Sequence, residues 1–385
     1  MGGNVIAINK RSGEETPAEH IDLRIIKRSD FKNKSVELFT HINSEFLREY
    51  GFLLWADESI LLDGSAFNGS TSYIMNQDIS DEEVVKYKQL VGDIDLMVPV
   101  QYKEELWNLL NSYEGEQILP GIAYVGSNKL TIQSIGSQIN SVFVVDFGKE
   151  IVPIQVDWEF VEFENNLPTE WASFSHSSSF IDAKLNIKAV HHKFLIRALV
   201  GGSSIREDIV ICTPKSTPDS LVLSSAKDHL IPRMLKFSVD RGIRVAYEPL
   251  LQENGDKIYI DNKQVFKPIP TNESKFVNCI KEIFKLSFQT DTVTDEDIED
   301  FYCFVGVVNL MKRFFTKEQI KETTERYTNL LWGFTHQRGQ ELERNDPSSD
   351  YLIKIAGYKY YINCLDVDDE SEYYTSNYYP TYRLS

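Results

Sequence analysis

Apolar residues recur at helical spacing between Phe31 and Tyr50 (Val36, Leu38, Phe39, Ile42, Phe46, Leu47), which predicts an amphipathic helix after a polar, irregular stretch of about 20 residues. In SILLDGSAFNGSTSYIM the pattern reads as a short apolar strand before a Gly-Ser turn, where small residues let the backbone approach a ligand closely. NQDISDEEVVKYKQL is acidic and reads as an exposed insertion or short helix, followed by VGDIDLMVPV, an apolar strand interrupted by two aspartates. After a helix over about 102–112, the segments IAYVG, KLTIQSI, SVFVVDF and EIVPIQVDWEFVEF alternate β-branched and aromatic residues, with FGKE suited to a hairpin turn. A mixed or antiparallel sheet is expected.

From Asp182 the period changes. DAKLNIKAVHHKFLIRALV, SSAKDHLIPRMLKFSVDRG, ESKFVNCIKEIFKLSF, DIEDFYCFVGVVNLMKRFF and EQIKETTERYTNLLWGF each repeat apolar residues every three to four positions. EPLLQENGDKIYIDNKQVFKPIP interrupts them as a small hairpin turning at Asn254-Gly255. The expected organisation is an α+β chain with an N-terminal extension at 1–30, a mixed-sheet domain flanked by helices at 31–180 and a mainly helical domain at 181–365. An acidic, Tyr-rich tail at 366–385 completes it, an extended arm suited to docking a protein partner. No internal repeat is evident.

Length fits this division, because 385 residues exceed the usual size of one compact domain. With 42% hydrophobic and 25% charged residues the chain can bury a sizeable core. Asp and Glu outnumber Lys and Arg by 58 to 40, a net charge of -18 that opposes gripping long nucleic acid. The densest basic run, Lys227, Arg233, Lys236, Arg241 and Arg244, and the cations Lys188, His191, His192, Lys193 and Arg197 read as solvated faces. Cys212, Cys279, Cys303 and Cys364 have neither CxxC nor zinc-ligand spacing and read as reduced thiols. With no signal-peptide pattern and no apolar run long enough for a bilayer, the expected location is the cytoplasm.

Three elements carry chemistry. In GDIDL, Asp93 and Asp95 alternate with Ile94, so both carboxylates leave one face of a strand while Ile94 and Leu96 point to the core. Two acids so close favour a cation. In PIQVDWEF, Asp157 is a lone acid inside a buried-looking strand, a costly placement unless a metal or partner offsets it. Ahead of both lies the Gly64-Ser65 turn. The sequence ILLDGSAFNG, then VGDIDLMV, then IQVDWEF resembles the DNA polymerase β-like nucleotidyltransferase superfamily, whose pattern is an apolar strand, Gly-Ser or Gly-Gly, DxD, and one further Asp on a later strand. The resemblance covers residues 50–160, with a long Ser65–Asp93 interval and Val91-Gly92 where many members have Ser.

It implies a nucleotidyltransferase-type sheet and a magnesium- or manganese-dependent transfer of a nucleoside monophosphate from an NTP to a hydroxyl acceptor. Gly64 and Ser65 would contact the triphosphate, Asp93 and Asp95 would bind both metals, and Asp157 would complete the site and prepare the acceptor hydroxyl. The acceptor is a small molecule, a protein side chain or an RNA end. The competing expectation is a protein that keeps this fold without turnover and serves as a structural or partner-binding module, since fold does not prove activity.

Overall fold

The computed structural model describes residues 6–9, 12–127, 138–200, 209–214, 221–225, 235–238, 241–270, 272–342, 357, 360–361 and 363–365. It divides into two compact units, Met1–Ala189 and Val190–Ser385. In the first, β1 (Ile6–Ile8) and β2 (Glu15–Pro17) form an antiparallel ribbon, and β3 (Ile21–Asp22) precedes the long helix α1 (Arg28–Tyr50). Next come α2 (Ser59–Asp63), β4 (Phe67–Asn68), α3 (Gly69–Met75), α4 (Asp81–Tyr87), β5 (Leu90–Val91), β6 (Asp93–Pro99) and α5 (Lys103–Ser112). Then follow β7 (Gln117–Leu119), β8 (Ile122–Ser127), β9 (Gln138–Asp146) and β10 (Ile151–Val161). A small hairpin of β11 (Phe163–Glu164) and β12 (Leu167–Pro168) leads to α6 (Glu170–Ser175) and α7 (Phe180–Lys184).

Six strands make the central sheet in the order β4-β6-β10-β9-β8-β7. Only the β6–β10 pair is parallel, so the sheet is mixed. One face carries the core. Ile94, Leu96 and Val98 of β6 and Val156, Trp158 and Phe160 of β10 alternate inward and meet Phe39 of α1. Phe31, Leu38, Phe39, Ile42 and Phe46 place the apolar stripe of α1 on this face, each buried side chain contributing roughly 1.5–3 kcal/mol. Trp158 donates to Ser141 Oγ at 2.7 Å and Trp55 to the Met97 carbonyl at 2.9 Å, so neither buried indole N–H is left unpaired. Arg28, 4% exposed, donates from Nε to the Ile74 carbonyl at 2.6 Å and from Nη1 to the Ile79 carbonyl at 2.5 Å, pinning the end of α3.

Several expectations are corrected. ILLD is a helical turn rather than a strand, and the strand is Phe67–Asn68 just after it. An apolar run of four fits either conformation. Gly64 ends the turn in the left-handed region (φ 92), the usual role of a glycine at a helix C-terminus. The N-terminal stretch is not wholly irregular, since Ala7 and Ala18 from its ribbon pack with Val142 of the sheet. The segment 129–135 lies outside the described residues.

The second unit, expected as mainly helical, also carries strands among its described residues. Strands β13 (Ile209–Pro214), β14 (Leu221–Ser225), β15 (Leu235–Ser238), β16 (Gly242–Val245), β17 (Tyr247–Pro249), β18 (Tyr259–Ile260), β19 (Lys263–Pro268) and β20 (Phe276–Val277) form two small sheets. Leu235–Ser238, inside a stretch that reads as helical, pairs with Gly242–Val245 instead, because cross-strand bonds decide between periods that four residues cannot distinguish. The tight turn between β18 and β19 is Asp261-Asn262, both at positive φ, while Asn254-Gly255 turns a separate loop closed by the Leu251–Lys257 bridge. Helices Ile280–Phe288, Asp295–Phe301, Phe304–Phe314 and Lys317–Leu342 match the later helical periods, with a break at Tyr302–Cys303. No described helix is long and apolar enough to cross a membrane.

Candidate metal centre

The register of the central sheet brings the acids together. Asp95 and Asp157 are direct partners across the parallel β6–β10 pair, and Asp93 sits opposite Gln155 two rungs away. Their carboxylates share the face opposite the core, because Asp93 and Asp95 lie two residues apart on β6 and Asp157 pairs with Asp95 from β10. One oxygen from each of Asp93, Asp95 and Asp157 falls within 4.8 Å of the others. Asp157 is 6% exposed and the other two are half-buried. The transverse row extends in both directions, to Asn68 beyond Asp95 and to Asn140 beyond Asp157.

Burial raises all three carboxyl pKa values, and repulsion from neighbouring acids adds to it. For Asp95 burial acts first, then Asp93, Glu159 and Asp157, lifting it well above its ordinary value. For Asp93 burial is opposed chiefly by Lys88, at the C-cap of α4. Asp157 is pushed up to about 7 by burial and then Asp93, against hydrogen bonds from Asn140 and Gln155 that favour its ionised form. Fully ionised, these acids would repel one another, so a cation is what would stabilise their charged form. A hard divalent cation with oxygen ligands fits this donor set. Residues that ligate such an ion would be Asp93, Asp95 and Asp157.

The glycine beside the acids is Gly69, not Gly64. A Cβ at Gly69 would lie 1.9 Å from Asp95 Oδ2, and its φ is +53, so both space and backbone call for glycine. A Cβ at Gly64 would instead meet Met75 Cβ at 3.0 Å, and the Ser65 amide donates to Asp63 at 2.8 Å. In the first turn of α3, Thr71 accepts the Asp95 amide at 3.2 Å and donates to the Asp93 carbonyl at 3.3 Å, which ties Gly69 and Ser70 to the DxD strand. Asn68-Gly69-Ser70 is thus a strand–Gly-Ser segment that lies beside the acids.

Comparison with known protein families, curated proteins and solved structures finds no match. Geometry thus carries the functional reading. Beyond the three acids, the site contains residues that sequence reasoning passed over. Glu159, 7% exposed, follows Asp157 by two residues on the same face, lies 3.1 Å from His176 Nδ1 and accepts from Asn68 Nδ2 at 3.3 Å. The period-two spacing in VDWEF was its signal. Asn140 and Lys88 carry no such signal, because their place depends on strand pairing and on the path of α4. His191 and His192, read as part of a solvated face, are buried in the second unit, where His191 Nδ1 lies 2.6 Å from the Tyr327 hydroxyl and His192 Nε2 lies 2.9 Å from the Phe301 carbonyl.

Proposed function

We propose that the chain is a magnesium- or manganese-dependent nucleotidyltransferase that moves a nucleoside monophosphate from an NTP to a hydroxyl acceptor. The observation that carries this reading is the convergence of Asp93, Asp95 and Asp157 from two paired strands onto one face. Glycine-backed Asp95 supports it, since Gly69 leaves room at the acids where a larger residue would fill the space. When bound, the divalent ions would supply charge neutralisation for phosphoryl oxygens and a lowered barrier to nucleophilic attack.

The residues of the chain have separable parts in this scheme. Asp93 and Asp95 hold the ion-binding face, with their backbone fixed by Thr71. Gly69 and Ser70 replace Gly64 and Ser65 as the segment that approaches the triphosphate. Asp157 would take up the proton of the incoming hydroxyl as its oxygen attacks the α-phosphorus. A new P–O bond forms there while the bond to pyrophosphate breaks. Acceptors remain a small molecule, a protein side chain or an RNA end.

Incubation of the full chain with each α-labelled NTP, a divalent cation and a cell extract tests this directly. Label should appear on one acceptor with wild type and be absent with Asp95→Asn. Absence of labelled product for every NTP, with the protein folded, would instead favour a partner-binding module on this fold.

A further inference from the structure

Asp157 is gripped asymmetrically. Asn140 Nδ2 donates to its Oδ1 at 2.5 Å from across the β9–β10 pair, and Gln155 Nε2 donates to the same Oδ1 at 2.6 Å from two residues earlier on β10. No hydrogen bond among the described residues reaches Oδ2. Gln155 is 4% exposed and Asn140 half-buried, so water competes weakly for these amides. A carboxylate oxygen offers about two lone-pair directions, and two charge-assisted bonds occupy both at Oδ1.

We infer that Asn140 and Gln155 are positioning residues that leave Asp157 a single ligating oxygen, and thereby make the acid cluster select Mg2+ and Mn2+ over Ca2+. The selectivity follows from coordination. Calcium takes six to eight oxygens and readily accepts both oxygens of one carboxylate, whereas magnesium takes six in a tight octahedron and is satisfied by one oxygen per carboxylate plus water. An Asp157 restricted to one oxygen therefore suits the smaller ion. With its two amides removed, Asp157 would be free to turn and offer both oxygens. This inference rests on the metal-binding part of the function proposed above and is independent of whether transfer follows.

Mn2+ binding to the full-length chain, followed by the electron paramagnetic signal of free Mn2+ with Mg2+ or Ca2+ as competitor, tests it. In wild type, Mg2+ should displace Mn2+ at a lower concentration than Ca2+ does. Asn140→Ala and Gln155→Met, the second keeping side-chain length without the donor, should weaken Mn2+ binding by about 10- to 100-fold. Each should also move the Mg2+/Ca2+ preference toward Ca2+, a change that loss of fold or of general affinity would not produce. Circular dichroism identifies any variant that fails to fold, and the other then decides. An unchanged preference in a folded variant, or equal competition by both ions in wild type, would overturn the inference. Absence of Mn2+ binding to wild type would remove both it and the metal-dependent reading, whereas Mn2+ binding with the stated selectivity but no transfer to any acceptor would remove only the transferase.

Discussion

Asp95 is the side chain on which most at the site depends. It faces Asp157 directly, backs onto Gly69 and is disfavoured as an ion by burial and three neighbouring acids. Asp95→Asn should therefore reduce transfer by more than about 100-fold, yet raise the metal-free melting temperature at pH 7.5 by a few degrees, because the shape stays and the repulsion goes. Unaltered transfer would remove Asp95 from the mechanism. Gly69→Ala should lower transfer similarly and cost roughly 1–3 kcal/mol in stability, since the new methyl would meet Asp95 Oδ2 at a positive φ. The pH dependence has a definite sign. Asp157 rises from 3.8 to about 7 on folding, so between those values the folded state binds more protons than the unfolded one. Its contribution is present below 3.8 and lost as pH rises through 7. Without metal, the melting temperature of the first unit should fall from pH 5.5 to 8, and Mg2+ should stabilise progressively more over the same interval because ligation needs the carboxylate form. A flat Mg2+ effect would contradict this assignment.

At the scale of elements, the position of α3 is set from a distance. Arg28, at the start of α1, reaches the carbonyls of Ile74 and Ile79 and pairs with Asp81 at 2.9 Å. These contacts fix the end of the helix whose first residue is Gly69. Arg28→Met should cost roughly 2–4 kcal/mol, because buried carbonyls lose their donors. Transfer should fall further than stability alone accounts for, measured at a temperature where the variant stays folded; full activity in a folded variant would show that α3 holds its place without Arg28. The elements also show where period alone fails. The 23-residue α1 repeats its apolar stripe often enough to be read from the chain, as do the helices after Cys279. Ile60-Leu61-Leu62 and Leu235–Ser238 are too short for that, and neighbouring backbone decides their conformation.

For the whole molecule, the two units should respond to acid in opposite directions. Burial lowers His192 from 6.5 to about 4, so its contribution in the second unit is present above 6.5 and lost as pH falls through 4. Hydrogen-exchange free energies, corrected for intrinsic rates, should rise for β10 and fall for α8 (Ala189–Val200) between pH 7.5 and 5.5 without metal. Parallel shifts in both would refute the two assignments. Net charge makes a separate prediction: at -18 the chain should not bind long duplex DNA or RNA tightly at physiological salt. Three cations of the basic run are already engaged, Lys236 over Tyr247, Arg241 over Phe276 and Arg244 on the Ile269 carbonyl, and Lys227 and Arg233 lie outside the described residues. Salt-sensitive duplex binding that disappears on neutralising Arg233, Lys236 and Arg241 would overturn it.

By itself the sequence determined what local period and alternation encode: the long α1, a sheet in the first half of the chain, and Asp93 and Asp95 on the same face of one strand. It also marked Asp157 as an acid in a buried strand, because a charge among apolar residues stands out in one dimension. Tertiary structure alone decided that Asp157 is the rung partner of Asp95 and that Gly69 rather than Gly64 stands against the acids. It alone placed Asn140 and Gln155 on one oxygen of Asp157. Those relations depend on strand register, and register is fixed by burying one whole face of the sheet, since a slip of one residue would turn every side chain to the wrong side.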